Sequence, residues 1–309
     1  MGTGISEFIA SLAKNGCQAK VVSISRLVEM EQAFSDLNTS GEIAPEFYPE
    51  IIKYFKFDWQ AIVADARSIV VVASPQLPTR VAFGSTSVII PPTYIYKAIW
   101  KDQLDMVKGF LEPRGLKVAR ARLPFKTLAV RSGLARYGRN NIAYIPGMGS
   151  FFRLAAFYSD LPCDTDDWAE PQMLSGCVEC TACAVACPAG CISQTRFLIQ
   201  AERCLTRFNE QQGPIPAWIE PAWHNSLLGC MACQQVCPQN KKLMEKIEDS
   251  QVGFSDSETL EILADAPEES LREETRSRLE ALCLADDDIY PLLKRNLSLL
   301  LGQTPGLTT

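Results

Sequence analysis

The feature that most constrains this chain is a dense group of cysteines at short, regular intervals. Nine of the twelve cysteines fall between Cys177 and Cys237, within and between "CVECTACAVACPAGC" and "GCMACQQVCPQN". The first residues lack the basic-then-apolar order of an export signal, so we expect a cytoplasmic location in which thiols stay reduced. Cysteines clustered in this way indicate metal ligation rather than disulfides.

The first stretch has the spacing C-x2-C-x2-C-x3-C-P, which is typical of bacterial ferredoxins with two 4Fe-4S clusters. In that pattern three cysteines bind one cluster and the fourth binds the other. The same crossing-over assigns the cysteine before the proline of the second stretch to the first cluster. The predicted ligands are Cys177, Cys180, Cys183 and Cys237 for cluster one, and Cys187, Cys230 and Cys233 for cluster two, which needs one more thiolate.

Three cysteines compete for the open position of cluster two: Cys163, Cys191 and Cys204. We favour Cys204, because its segment leaves the first motif and must return to the second. Cys191 follows Cys187 by four residues, so the chain would have to double back at once. Zinc is the alternative metal, since paired C-x2-C motifs also form tetrahedral thiolate sites. The overlapping triple followed by proline favours two cubanes.

The rest of the chain predicts an α+β fold with three parts. Helical and strand patterns alternate through residues 1–165, where "SIVVVASP" is an apolar run expected of a strand covered on both faces. Residues 166–243 form the cluster domain. Residues 244–309 are predicted as an acidic helical tail, with fifteen acids and four bases from Glu245 to Asp288. No run of about 18 apolar residues predicts a membrane span.

The motifs together resemble the epoxyqueuosine reductase family, which is distantly related to the reductive dehalogenases. The resemblance covers roughly residues 116–240, through "SGLARYGRNNIAYIPGMGSFFRL", the two cysteine stretches and "AERCLTRF". It implies a nitroreductase-like three-layer domain that binds cobalamin or another corrinoid, a two-cluster ferredoxin-like domain and a short helical C-terminal tail. It also implies a cobalamin-dependent iron-sulfur reductase in which Cys204 matches a ligand of cluster two.

The resemblance also nominates cofactor-binding residues. The family's corrinoid-pocket turn corresponds to residues 132–140 here, and a second glycine-containing turn follows it. The candidate contacts are Gly133, Gly138, Arg139, Asn140, Gly149 and Ser150. His224 is the single histidine and lies six residues before Cys230, so it is a candidate axial cobalt ligand, proton relay or hydrogen-bond partner of cluster two.

Departures from the family argue against its exact substrate. Ala119 stands where the family has the aspartate that donates a proton, and an acidic segment replaces the C-terminal domain that helps to hold transfer RNA. Acidic residues repel phosphate, so we expect a small substrate and no nucleic acid.

Basic and phenolic side chains near the missing aspartate are the catalytic candidates. Arg120 and Arg122 share the parity of one strand face, where they would suit an anion, and Tyr137 is a possible proton donor. A solvated edge strand and simple packing are the alternatives, and packing applies equally to Tyr144 and Tyr158.

Two functions follow from this pattern. The first is a reductase that takes single electrons from a ferredoxin or flavodoxin and passes them through both clusters to a bound corrinoid, which reduces a small substrate. The second is an electron-transfer protein that reactivates a separate corrinoid protein. A zinc-stapled binding module is a third reading.

Overall fold

The computed structural model describes residues 4–96, 98–264, 267–285 and 288–302. These residues form two compact units, the first from 4–75 with 98–179 and the second from 76–96 with the described residues of 180–302. The strands are β1 (Gln18–Ser23), β2 (Ser68–Pro75), β3 (Thr79–Phe83), β4 (Thr86–Ile90), β5 (Val118–Ala121), β6 (Arg136–Tyr137), β7 (Ala143–Tyr144) and β8 (Phe152–Ser159). The helices are α1 (Ile5–Ala13), α2 (Arg26–Thr39), α3 (Phe47–Ile52), α4 (Ile99–Leu111), α5 (Phe125–Arg131), α6 (Ala182–Ala186), α7 (Leu205–Glu210), α8 (Ala232–Gln235), α9 (Lys241–Met244), α10 (Asp256–Leu263), α11 (Glu273–Ala281) and α12 (Tyr290–Leu300).

An antiparallel sheet in the order β1-β2-β8-β5 organises the first unit. Residues 68–74 of β2 are all buried, as predicted from the continuous apolar run "SIVVVASP". The reason is that helices cover both faces of the sheet. Leu27 of α2 and Leu128 of α5 pack on one face, and Phe8 of α1 and Val107 of α4 pack on the other. This mixed α/β arrangement agrees with the predicted fold class, and the nitroreductase-like detail stays a prediction.

The stretch "TYIYKAIWKDQLDMVKGFLEPRG" is long enough to predict a helix from Thr93, but the helix begins later, at Ile99. Ile95 is fully buried in the core of the second unit, while Val107 and Leu111 belong to the core of the first. The stretch is therefore divided between two cores, and a single helix does not serve both.

The second unit combines the cysteine segment with the β3-β4 hairpin and the C-terminal helices. The core joins Val81 and Ile90 of the hairpin to Ile262 of α10 and Leu293 of α12. The acidic segment that the sequence indicated as a tail thus has an apolar side that completes this core. The two compact units therefore have boundaries that differ from those of the three predicted parts, residues 1–165, 166–243 and 244–309.

Candidate functional site

Each cysteine motif contains a short helix that ends before a Cys-Pro pair. Cys187 directly follows α6 with extended backbone angles (φ -73°, ψ 109°), and Cys237 follows the residue that caps α8 and is extended as well (φ -71°, ψ 124°). A residue before proline avoids the helical region, so Pro188 and Pro238 stop both helices at this point. The fourth cysteine of each motif is thereby directed away from its own helix, as the predicted crossing-over requires.

Thiols from separate segments converge in the second unit. The sulfurs of Cys187 and Cys191 lie 3.4 Å apart, and the thiol of Cys191 is also hydrogen-bonded to that of Cys204. Cys233 packs against the same buried cluster, and the charges of Cys187 and Cys204 act on Cys230. The four cysteines predicted to bind cluster two are therefore gathered in one region, together with Cys191 and the cluster-one candidate Cys183.

The thiol pKa values reflect this arrangement. Hydrogen bonding from Cys191 lowers the pKa of Cys187 and of Cys204 to about 6 in each case. The pKa of Cys191 itself is raised, first by its bonds to those two sulfurs and then by burial. Burial raises the pKa of Cys230, while the amide of Asn225 opposes that effect. The lowered pKa values of Cys187 and Cys204 favour the thiolate, which is the form that binds iron.

The placement of Cys191 changes one step of the sequence argument. The chain does double back after Cys187, because the N-H of Gly190 donates to the carbonyl of Cys187 at 3.1 Å and Gly190 adopts a positive φ of 60°. Such a turn is readily formed by glycine. The short sequence separation from Cys187 therefore does not exclude Cys191 as the fourth ligand of cluster two. The preference for Cys204 as that ligand rests on the position of its own segment.

Cys204 directly precedes α7, and the C-terminal helix α12 holds α7 in place. The guanidinium of Arg295 donates to the carbonyls of Phe208, Gln211 and Gly213 at 2.6–2.8 Å. The fully buried amide of Asn296 donates to the carbonyls of Asn209 and Leu227 at 3.0 and 2.9 Å. Helix α12 thereby joins the segment after Cys204 to the segment that precedes Cys230.

His224 and Asn225 precede the second motif. The side-chain nitrogen of Asn225 donates to the sulfur of Cys230 at 3.2 Å, and its oxygen accepts from the N-H of Met231 at 2.7 Å. His224 is 8% exposed, and neither ring nitrogen has a hydrogen-bond partner among the described residues. Burial and then the charge of Arg295 lower the pKa of His224, which favours the neutral ring. Buried nitrogens without partners suit a polar group that the polypeptide does not supply.

The turn nominated for a corrinoid is largely engaged by the protein itself. A Cβ on Gly138 would lie 2.6 Å from the ring of Tyr144, so that ring already occupies the space beside the glycine. The amide of Asn140 donates to the hydroxyl of Tyr144 at 2.9 Å, and its oxygen accepts from the N-H of Ile142. Arg139 donates to the carbonyl of Cys177 at 2.6 Å, which ties the turn to a predicted ligand of cluster one.

The remaining candidates of this region shape backbone turns. Gly133 has a positive φ of 74° and directly follows the residue that caps α5. Gly149 has a positive φ of 55° and accepts a backbone hydrogen bond from Ile145, immediately before Ser150. Their geometry accounts for glycine at both positions, and their contact with a cofactor stays a prediction.

The three catalytic candidates are not brought together. The guanidinium of Arg120 lies 3.8 Å from the ring centre of Trp100, on the sheet face that packs against α4. Tyr137 lies in the core on the opposite face, where its hydroxyl is 3.2 Å from that of Thr127 and burial raises its pKa. Arg122 is exposed just beyond the end of β5. Arg120 and Tyr137 therefore belong to cores on opposite faces of the β1-β2-β8-β5 sheet.

The other tyrosines serve packing. Tyr158 is fully buried and donates to the carbonyl of Lys56 at 3.0 Å. Tyr144 is the acceptor for Asn140 described above. Both residues match the packing alternative.

Arg120 nevertheless has unusual surroundings. Its Nε is buried without a hydrogen-bond partner, and no acidic side chain in the described parts of the chain forms an ion pair with it. Burial and then the charge of Arg122 lower its pKa. A guanidinium in this state suits an anionic group that the chain does not provide.

Sequence reasoning overlooked Asn225, Arg295 and Asn296. Asn225 adjoins His224, and an amide beside a cysteine motif is a possible N-H donor to sulfur. Arg295 and Asn296 lie in "KRNL", where the signal was a basic residue and an amide inside an otherwise apolar helix. A buried amide in such a helix needs partners, and here they are backbone carbonyls.

Comparison with known proteins identifies the cluster segment. Residues 176–240 match the family described as a 4Fe-4S double cluster binding domain. The chain is 30% identical over 182 residues to the epoxyqueuosine reductase of Salmonella typhimurium, an alignment that covers 53% of this chain and 46% of that protein. The chain thus spans about half the length of the curated relatives that it matches.

Solved structures support the same relationship at the level of fold. Epoxyqueuosine reductase from Streptococcus thermophilus matches with a TM-score of 0.69 and 18% identity, over 96% of this chain and 80% of that one. A structure of epoxyqueuosine reductase with a modified tRNA stem loop matches with a TM-score of 0.66 and 19% identity, over the same shares.

None of the helices in the described part of the chain combines the length and apolar character needed to cross a bilayer.

The predicted pair of 4Fe-4S clusters is confirmed by the domain match. The chain therefore carries a 4Fe-4S double cluster binding domain and is similar in sequence and in fold to the epoxyqueuosine reductases.

Proposed function

We propose that this protein is an iron-sulfur reductase that passes single electrons through two 4Fe-4S clusters to a bound corrinoid. Cys187, Cys204, Cys230 and Cys233 bind cluster two, and Cys177, Cys180, Cys183 and Cys237 bind cluster one. The observation that carries the proposal is the convergence of Cys187 from the first motif with Cys204 and the second-motif cysteines. Two clusters close in sequence suit transfer of electrons between an external donor and an acceptor elsewhere in the protein.

Residues around cluster two support an electron-transfer role. The N-H of Asn225 on the sulfur of Cys230 stabilises negative charge there, and hydrogen bonds to sulfur are among the factors that set cluster potentials. His224 is close in sequence, buried and without a partner in the described chain, so its ring can donate a further hydrogen bond to the cluster. The electron donor in this proposal is a ferredoxin or flavodoxin.

The corrinoid is the acceptor in the first unit. When bound, it supplies a low-valent cobalt that is a strong nucleophile toward a small substrate. Arg120 has a buried Nε without a partner in the described residues, but it stacks on Trp100 on the sheet face opposite the nominated turn and is not part of the proposed corrinoid site. Arg139 holds the nominated turn next to Cys177, a proposed ligand of cluster one, by donating a hydrogen bond to the carbonyl of Cys177.

The substrate in our proposal is a small molecule rather than transfer RNA. Ala119 occupies the position of the family's proton-donating aspartate and pairs with Tyr158 in the sheet, so it brings no acid to the site. The solved relative that holds a tRNA stem loop makes transfer RNA the alternative to test. A gel-shift titration with total tRNA should show no specific complex, and a saturable complex would make RNA the substrate class.

One preparation tests the metal and cofactor content. Protein purified without oxygen should contain about eight irons per chain, the content of two cubanes, and should take up added cobalamin stoichiometrically. About eight irons on protein that refuses cobalamin would contradict the reductase and leave an electron-transfer role. Zinc without iron would contradict both.

A matched pair of variants tests the ligand assignment. Cys204→Ser should lower the iron content from about eight to about four per chain and remove the EPR signal of one reduced cluster. Cys283→Ser is the control, since Cys283 follows α11 in the C-terminal segment, outside both cysteine motifs, and has no predicted ligand role. Full iron content in Cys204→Ser would refute the role of Cys204.

A further inference from the structure

A strip of exposed residues surrounds and follows Cys237, the last predicted ligand of cluster one. We call residues 236–246 the post-Cys237 strip, and all of them belong to the second unit. Its solvent-exposed side chains include Val236, Pro238, Lys241, Lys242 and Lys246. The strip therefore places apolar and basic groups together beside a cluster ligand.

Val236 lies on the side of α8 that carries the thiols. It is the residue that caps α8, and its backbone angles are helical (φ -84°, ψ -7°). It follows Cys233 by three residues and directly precedes Cys237, and residues three apart in a helix are neighbours on its surface. Its side chain is nevertheless 45% exposed. A partner that covers Val236 therefore comes next to predicted ligands of both clusters.

Buried contacts hold the strip against α8. Asn240 is fully buried, and its Nδ2 donates to the carbonyl of Gln234 in α8 at 2.9 Å. The N-H of Asn240 also donates to the carbonyl of Cys237 at 2.9 Å, and Ile247 is buried just after the strip. The exposed side chains are thus carried by a backbone that is already ordered, so little conformational entropy is lost when a partner binds.

The strip is basic beside a strongly acidic part of the chain. Residues 236–246 contain three lysines and one acid, Glu245. None of the three lysines forms an ion pair with an acidic side chain in the described parts of the chain. By contrast, fifteen acids and four bases occur from Glu245 to Asp288. An acidic protein is therefore attracted by the strip and repelled by the C-terminal segment, which favours one docking orientation.

We propose that the post-Cys237 strip is the docking surface for a small acidic electron-donor protein. In the docked complex the donor loses one electron and one oxidised cluster gains it, and no bond forms or breaks. The lysines speed association, while Val236 and Pro238 supply apolar contact. Interfaces with nucleic acids are more polar, so these two residues favour a protein partner. The proposal rests on the proposed electron-transfer function of the clusters and is independent of the corrinoid.

Stopped-flow reduction of the whole chain, with its clusters, by reduced flavodoxin tests the proposal, because flavodoxin is a small acidic protein. At low ionic strength Lys241→Glu combined with Lys242→Glu should lower the second-order rate constant about tenfold or more. In about 1 M salt most of that difference should vanish, since the screening length is then about 3 Å. The matched control is Lys14→Glu combined with Lys56→Glu, which reverses two exposed lysines of the first unit and should slow the reaction much less.

Two further measurements separate docking from damage to the clusters. Each variant should keep about eight irons per chain. Reduced methyl viologen, a small cation that needs no docking surface, should reduce the Lys241→Glu, Lys242→Glu variant at least as fast as the unaltered protein. Val236→Ser should slow reduction by flavodoxin at low and at high salt, because salt does not screen apolar contact.

The contrary results are separable. Equal slowing of the strip variant and the control variant by flavodoxin would overturn the docking surface, as would slower reduction of the strip variant by methyl viologen. An unchanged rate with flavodoxin, together with lost binding of single-stranded RNA, would overturn it by assigning the lysines to nucleic acid. If reduced flavodoxin and methyl viologen both fail to reduce the clusters of the unaltered protein, the proposed electron-transfer function itself is at fault.

Discussion

Asn296 offers the sharpest test of how the C-terminal helix supports the cluster domain. Its side chain is fully buried, and its Nδ2 donates to the carbonyls of Asn209 and Leu227 at 3.0 and 2.9 Å. Replacing Asn296 by alanine removes both donors and leaves two buried carbonyls without them. Each such loss costs about 1–3 kcal/mol, so Asn296→Ala should lower the free energy of unfolding by about 2–6 kcal/mol.

Urea unfolding followed by far-UV circular dichroism measures this effect on protein with its clusters intact. With an m-value of about 3 kcal/mol per molar urea, the midpoint should fall by about 1–2 M. Asn296→Asp has nearly the same volume but a carboxylate cannot donate to a carbonyl, so it should destabilise the protein at least as much as alanine. This variant separates the hydrogen bonds from the cavity that alanine leaves.

The control is Asn38→Ala, because Asn38 is exposed on α2. An exposed substitution of this kind should change the unfolding free energy by no more than about 0.5 kcal/mol. If Asn296→Asp unfolds at the same urea concentration as the unaltered protein, the amide does not hold the two carbonyls and the reasoning fails.

Two further predictions concern the approach to Cys230. Gly229→Ala should destabilise the protein and reduce iron binding at cluster two, because Gly229 has a positive φ of 63° and a Cβ there would lie 2.6 Å from the hydroxyl of Tyr94. The control is Gly115→Ala, since Gly115 also has a positive φ but lies in open space, and this change should cost only about 1–2 kcal/mol with full iron content. Equal losses of stability and iron in both variants would contradict the steric argument. Glu210 is exposed as a residue, but its carboxyl accepts from the hydroxyl of Tyr94, and burial of the carboxyl raises its pKa to about 7. A carboxyl pKa raised by folding stabilises the fold at a pH below the ordinary carboxyl pKa, and that contribution is lost as the pH rises through about 7. Urea midpoints should therefore fall between about pH 5 and pH 8 in the unaltered protein and fall less in Glu210→Gln, and parallel pH profiles of the two proteins would refute this role of Glu210.

Local pattern in the sequence predicted much of the architecture. The apolar run of β2 is buried from Ser68 to Ser74, because an uninterrupted apolar strand is stable only with both faces covered. The pairs Cys187-Pro188 and Cys237-Pro238 end their helices, because proline constrains the residue before it. These features depend on neighbours in the chain, which the sequence displays directly.

Features that depend on distant segments were not predictable in this way. The acidic C-terminal segment was expected as a tail, but Leu279 and Leu297 complete a core with the β3-β4 hairpin about two hundred residues earlier in the chain. Charge composition describes the exposed side of such helices and says little about the side that packs.

The sequence by itself determined that this chain binds two 4Fe-4S clusters, because cluster ligation requires thiolates at short, fixed spacings along the chain. Only the tertiary structure decided what surrounds those thiolates. Arg120 and Tyr137 fall on opposite faces of the sheet, the amide of Asn296 spans two segments, and Cys191 returns to the sulfur of Cys187. Each of these placements depends on strand pairing, backbone hydrogen bonds or a glycine turn between segments, and the order of residues does not specify such contacts.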